Sequence, residues 1–142
     1  MRSHRLAISL LFFFILNAAA FSAPASTPAA TTYTVQIESI MPETLVATCD
    51  INGRSLPTHK IKILKQANFT VHLRDDKDDA KTMTCDLRSG DKHGKFVMFD
   101  SRKWNVSSYC APGAVCRWKV VSEGICLFVM AAFDCLISYY WT

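Results

Sequence analysis

Six cysteines, Cys49, Cys85, Cys110, Cys116, Cys126 and Cys135, are the residues of this chain best suited to covalent chemistry. A cysteine nucleophile needs a free thiol beside a base. An even set in an oxidising compartment closes into disulfides instead, in a pairing that spacing alone does not decide. His59, His72 and His93 form no His-x-x-x-His or Cys/His zinc spacing. His59 and His72 alternate with apolar residues and are expected to face solvent. Without an assignable nucleophile–base pair, the chain is expected to be no enzyme and to need no cofactor. The aspartates of Asp75-Asp76-Lys77-Asp78-Asp79 offer oxygen ligands of the calcium type, but no glycine kink or distal glutamate accompanies them. A solvated turn without metal is expected there. Lys60, Lys62 and Lys65 line one strand or its end, where they would either meet an acidic polysaccharide or headgroup or form an ordinary solvated face.

The elements that must position these residues begin after a leader. Arg2 and Arg5 precede an apolar run over residues 6–16, and Ala18-Ala19-Ala20 supplies the small residues of a cleavage site. The run is too short to cross a bilayer, which takes about 20 apolar residues. Residues 1–20 therefore read as a secretory signal peptide, and all six cysteines follow it. The remainder is enough for one domain. Its net charge, +4 for the full chain, is halved by the loss of Arg2 and Arg5. That excess is too mild to argue for nucleic acid. Residues 21–32 are rich in Ala, Pro, Ser and Thr and read as a flexible extension.

From Tyr33 onward, short period-two segments alternate with turn residues. Tyr33, Val35 and Ile37 form one apolar set, Leu45 to Cys49 a second strand, and Ile61 with Ile63 a third. Phe69, Val71 and Leu73, then residues 82–87, 95–99, 116–121, 125–130 and 135–141, complete eight or nine strands with no amphipathic helix. Cys116 and Trp118 share a strand face, which places a sulfur beside a large indole in the core. Ser122-Glu123-Gly124 turns the chain into the next strand. Such spacing predicts an all-β sandwich or barrel. Residues 125–141 are nearly all apolar and also fit a membrane span, but Asp134 would sit near its middle at a cost of about 2.5–3.5 kcal/mol. Two buried strands explain the same residues, and no stable membrane insertion is expected.

Taken in order, these segments resemble the plant self-incompatibility protein family, whose relatives are called S-protein homologues. The resemblance rests on Val35-Gln36-Ile37 with Leu45 and Cys49, Thr82-Met83-Thr84-Cys85, Phe96-Val97-Met98-Phe99-Asp100, Cys110, Cys116-Arg117-Trp118, Glu123-Gly124-Ile125 and the terminal Trp141. Thr48 stands where the family usually has histidine, residues 52–57 replace an acidic loop, and Cys126 and Cys135 are additional. The resemblance implies a small, secreted, disulfide-stapled, immunoglobulin-like antiparallel β-sandwich of about eight strands over residues 33–142. It further implies a monomeric ligand in cell–cell signalling that binds a cell-surface receptor protein. With it come the expected pairings Cys49–Cys116 and Cys85–Cys110, leaving Cys126 to bridge Cys135 on a neighbouring strand.

Receptor contacts are expected in the inter-strand loops 50–57, 74–81, 88–94 and 101–115, through Arg54, Asp76, Lys92, Trp104 and Tyr109. The alternative is a cell-wall or matrix polysaccharide module using the basic strand at residues 60–65. Asn68-Phe69-Thr70 and Asn105-Val106-Ser107 are acceptor sequons, so Asn68 and Asn105 are expected to carry glycans.

Overall fold

The computed structural model describes residues 30–74, 79–103, 110, 115–129 and 134–142. Ten strands occur among them: β1 (Ala30–Ser39), β2 (Leu45–Ile51), β3 (Arg54–Ser55), β4 (His59–Ile61), β5 (Gln66–Arg74), β6 (Thr82–Ser89), β7 (Lys92–Asp100), β8 (Val115–Val121), β9 (Gly124–Val129) and β10 (Asp134–Tyr140). One sheet runs β10-β9-β8-β1-β5; the other runs β3-β2-β6-β7, with β4 also paired to β2. The inward faces of both supply the core, including Val35 and Ile37 of β1, Leu45 and Ala47 of β2, Met83 and Leu87 of β6, and Trp118 and Val120 of β8. Strict alternation in β5, β6 and β8 buries every second residue, as a strand with one solvated face requires. The all-β sandwich read from the sequence is the fold observed.

The strands differ from that reading in three places. β1 starts at Ala30, ahead of Tyr33, because β5 continues far enough to pair Ala30 with Arg74. β1 and β8 run parallel, Val35 opposite Cys116, so the sandwich is not wholly antiparallel. β4 ends at Ile61, leaving Ile63 in a turn, so the basic strand expected at residues 60–65 is for the most part a basic turn. Residues 125–141, which also suited a membrane span, contribute the antiparallel pair β9 and β10. Of the two buried strands expected there, β9 is buried over its first four residues, but β10 is an edge strand whose Asp134, Cys135, Ser138 and Tyr140 are exposed. Among the described residues, no helix is long and apolar enough to cross a membrane. The leader, residues 1–20, and residues 21–29 of the extension lie outside the described residues.

The cysteines pair as Cys49–Cys85, Cys110–Cys116 and Cys126–Cys135. This corrects the Cys49–Cys116 and Cys85–Cys110 pairings implied by the resemblance, and agrees with it for Cys126 and Cys135. Cys49 and Cys85 are direct register partners on β2 and β6, with Cα atoms 4.0 Å apart. Directly opposed residues of an antiparallel pair are the nearest cross-strand neighbours available. Cys116 lies on β8 in the other sheet, and Cys110 closes a short loop onto it.

Register places the connections at two ends of the sandwich. One end holds the β2–β3 turn, the segment between β5 and β6, and the chain leaving β7. The other holds residues 40–44, residues 62–65, the β6–β7 and β8–β9 turns, and the C-terminus. They are called below the Asn52 end and the Leu64 end.

Candidate functional site

At the Asn52 end, the β2–β3 turn is an Asn-Gly pair with φ of 51° at Asn52 and 79° at Gly53. Two successive positive φ values belong to the tight turn that matches strand twist, and asparagine and glycine tolerate them best. Asp50 Oδ1 accepts the Gly53 N–H at 3.0 Å and steadies the turn. Asn52 then ties it to the neighbouring connection. Its backbone N–H donates to the Thr82 carbonyl at 2.9 Å, its Nδ2 donates to the Ala80 carbonyl at 2.9 Å, and its Oδ1 accepts the Thr82 N–H at 2.8 Å. Lys81 is bound in turn to the chain after β7: its N–H donates to Ser101 Oγ at 2.8 Å, and Ser101 N–H donates to the Lys81 carbonyl at 3.0 Å. Asp100 Oδ1 accepts the N–H groups of Arg102 and Lys103 and starts that loop. Three connections distant in sequence thus form one hydrogen-bonded surface.

Beside it opens a cavity of about 550 Å³ between β3 of one sheet and β5 of the other, lined by Asn52, Arg54, Ser55, Thr70, His72 and Lys81 among others. Arg54 and Lys81 bring positive charge and N–H donors to its wall. Asp79 lies 3.0 Å from the Lys81 ammonium, and its other oxygen accepts the Arg74 N–H at 2.7 Å. The Arg74 N–H, then Lys81, hold the Asp79 carboxyl below its ordinary range. The surface offers donors, cations and a rigid backbone, which suits binding of a partner with acceptor or acidic groups.

Of the expected contact residues, Arg54 lies on this surface and Lys92 does not. Lys92 begins β7 at the opposite end, so loop 88–94 is separated from the others by the length of the strands. Asp76, Trp104, Tyr109 and the sequon residue Asn105 lie outside the described residues. Asn68 sits on the exposed face of β5, where its Oδ1 accepts from Gln36 Nε2 at 3.3 Å. His72 is exposed as expected, but His59 is half-buried, its ring edge-on to Phe69 with centroids 4.9 Å apart. No group of three His, Cys, Asp or Glu residues able to hold a metal occurs among the described residues. Asn52, Lys81 and Ser101 were not singled out from the sequence, although an Asn-Gly pair between two strands is itself a hairpin signal.

Asn52→Gly is expected to keep the turn and lose both side-chain bonds. Stability should fall by about 1–3 kcal/mol, seen as a lower denaturant midpoint at unchanged slope.

Residues 34–141 match the protein-family model described as plant self-incompatibility protein S1. A search of curated proteins finds no match to the chain.

Proposed function

Because the chain belongs to the plant self-incompatibility protein S1 family, we propose that it is a secreted, non-enzymatic recognition ligand that meets a cell-surface receptor protein through the Asn52 end. The observation that carries this reading is the joining of three connections by Asn52, Lys81 and Ser101 into one stiff surface. Loops held by a rigid scaffold are where recognition resides, and a preformed surface loses little ordering entropy on binding. Secretion is supported by the basic and apolar leader of residues 1–20 and by three disulfides, which persist in oxidising compartments. The protein acts as a monomer and carries glycans on Asn68 and Asn105.

The test is binding of labelled protein to wall-free plant protoplasts, with and without prior surface proteolysis, across a salt titration. Arg54→Glu should weaken binding about tenfold, as truncating or reversing an interface charge does, while Lys92→Glu leaves it unchanged. Binding that survives proteolysis, or that ignores Arg54→Glu, overturns the assignment. Retention on isolated wall polysaccharide that collapses with ionic strength would instead favour the matrix module.

A further inference from the structure

We propose that the Leu64 end is a membrane-contact surface, on which the turn at residues 62–65 seats Ile63 and Leu64 in the headgroup region of an anionic bilayer while Lys60, Lys62 and Lys65 meet its charge. The evidence begins with backbone conformation. Leu64 has φ of 62°, the left-handed region that glycine enters freely and leucine enters at a steric cost. A leucine there is normally compensated by packing, yet this side chain is 71 % exposed. A left-handed leucine left mostly exposed breaks a local rule, and such positions cluster at functional sites.

The turn is fixed. Leu64 N–H donates to the Ser39 carbonyl at 2.7 Å, Lys65 N–H to the Lys62 carbonyl at 3.0 Å, and Ser39 N–H to the Lys65 carbonyl at 3.1 Å. These bonds lock it against the end of β1, where Ile40 follows Ser39. Ile40, Ile63, Leu64 and Tyr140 are the exposed large apolar side chains among the described residues. All four lie at this end: Ile63 and Leu64 are tied to the Ile40 segment through Ser39, whereas Tyr140, opposite Gly124 on β10, is three strands from β1 and stands apart from them. Exposed apolar residues are unremarkable singly and informative when gathered.

Charge selects the partner. Residues 60–66 hold three exposed lysines and no acid. The acids of this end belong to other connections: Glu43 against Gly90, Asp91 in the β6–β7 turn, and Glu123 in the β8–β9 turn. Glu38 lies on β1 opposite Gln66 and beside Lys119. Aliphatic tips on a protruding turn, flanked by lysines whose stems can lie along apolar surface while their ammonium groups stay hydrated, suit a headgroup layer. Anionic lipid adds attraction for each lysine near the surface. The contact is peripheral and uses the end opposite the receptor surface, so neither reading depends on the other.

Co-sedimentation with protein-free vesicles tests it, comparing phosphatidylcholine alone with phosphatidylcholine containing about 30 % phosphatidylserine as the anionic lipid. The intact protein should bind the anionic vesicles more tightly. Ile63→Ser/Leu64→Ser should weaken that binding at least about tenfold, through the apolar area no longer buried. Lys62→Gln/Lys65→Gln should weaken it on anionic vesicles and flatten its salt dependence. Leu64→Gly gives the sharpest contrast: weaker vesicle binding together with a higher unfolding temperature, since the backbone cost is relieved. Equal binding to both vesicle types, or undiminished binding by the serine variant, overturns the proposal. So does retention on soluble polygalacturonate without vesicle binding, which would assign the lysines to an acidic polysaccharide. A failure on vesicles leaves proteolysis-sensitive protoplast binding, and with it the receptor reading, intact.

Discussion

Trp118→Ala will destabilise the domain by about 3–5 kcal/mol, the usual range for deleting a buried aromatic side chain. Trp118 is fully buried on β8, and its Nε1–H donates to the Met98 carbonyl of β7 at 2.9 Å. β7 belongs to the other sheet, so this bond and the indole join the two layers. The ring also stacks on Tyr139 of β10, with centroids 6.0 Å apart, and Tyr139 meets Phe96 of β7 at 5.9 Å. Removing the indole therefore opens a cavity between the sheets and removes the donor to a buried carbonyl. Domains of this size are stable by only about 5–15 kcal/mol, so a yield of folded protein well below that of the parent should accompany the loss. Trp118→Phe separates the two contributions, keeping most of the apolar area while losing the hydrogen bond, at about 1–3 kcal/mol. Chemical denaturation measures both. An alanine variant within about 1 kcal/mol of the parent would contradict the inter-sheet position, because a buried aromatic cannot be removed so cheaply.

Trp118 also illustrates what the sequence makes legible. Alternation reports which side of a strand is buried, and the Cys116-Arg117-Trp118 spacing was enough to place sulfur and indole on one face. The same logic finds β1 and β5, short segments between turn residues mark β2, β6, β7 and β8, and a nearly unbroken apolar run marks β9 and β10. Alternation does not report which strand lies beside which. The parallel pairing of β1 with β8 joins segments about 80 residues apart, as the register of Val35 with Cys116 requires. No local pattern encodes it. β3 is two residues long and held by an Asn-Gly turn, too short for a periodic signal.

The candidate surfaces were legible to different degrees. Arg54 followed from a turn-rich loop, and the family match supports the class of function. The grouping of loops did not follow, because Lys92 and Arg54 separate only once β6 and β7 have a direction. Ile63 looked like a core residue by its type and its offset from Ile61. Its exposure follows from Lys62 leaving the strand and Leu64 taking a left-handed conformation, and neither side-chain type announces that. Strained backbone is a property of the fold around a residue, visible only with coordinates.

The cysteines carry the second large effect. Cys49→Ala/Cys85→Ala should lower stability by about 4 kcal/mol, from the chain entropy restored to the unfolded state by a loop of this length. The sequence separations are 36 for Cys49–Cys85, 9 for Cys126–Cys135 and 6 for Cys110–Cys116. The same relation gives about 2–3 kcal/mol for each shorter loop, so the Cys49/Cys85 double-alanine variant should have the lowest denaturant midpoint of the three. Cys49 and Cys85 are buried in the core, as Cys110 and Cys116 are, so both of those removals add a packing loss, while Cys135 is exposed and the third removal adds less. A pairing of Cys49 with Cys116 would behave differently, since it would tie one sheet to the other and close a loop of nearly twice the length. Single Cys49→Ala discriminates the two: the in-sheet bridge frees the Cys85 thiol for alkylation, whereas an inter-sheet bridge would free Cys116. Labelling at Cys116 would overturn the register of β2 against β6, because opposed cysteines at that spacing have no nearer partner.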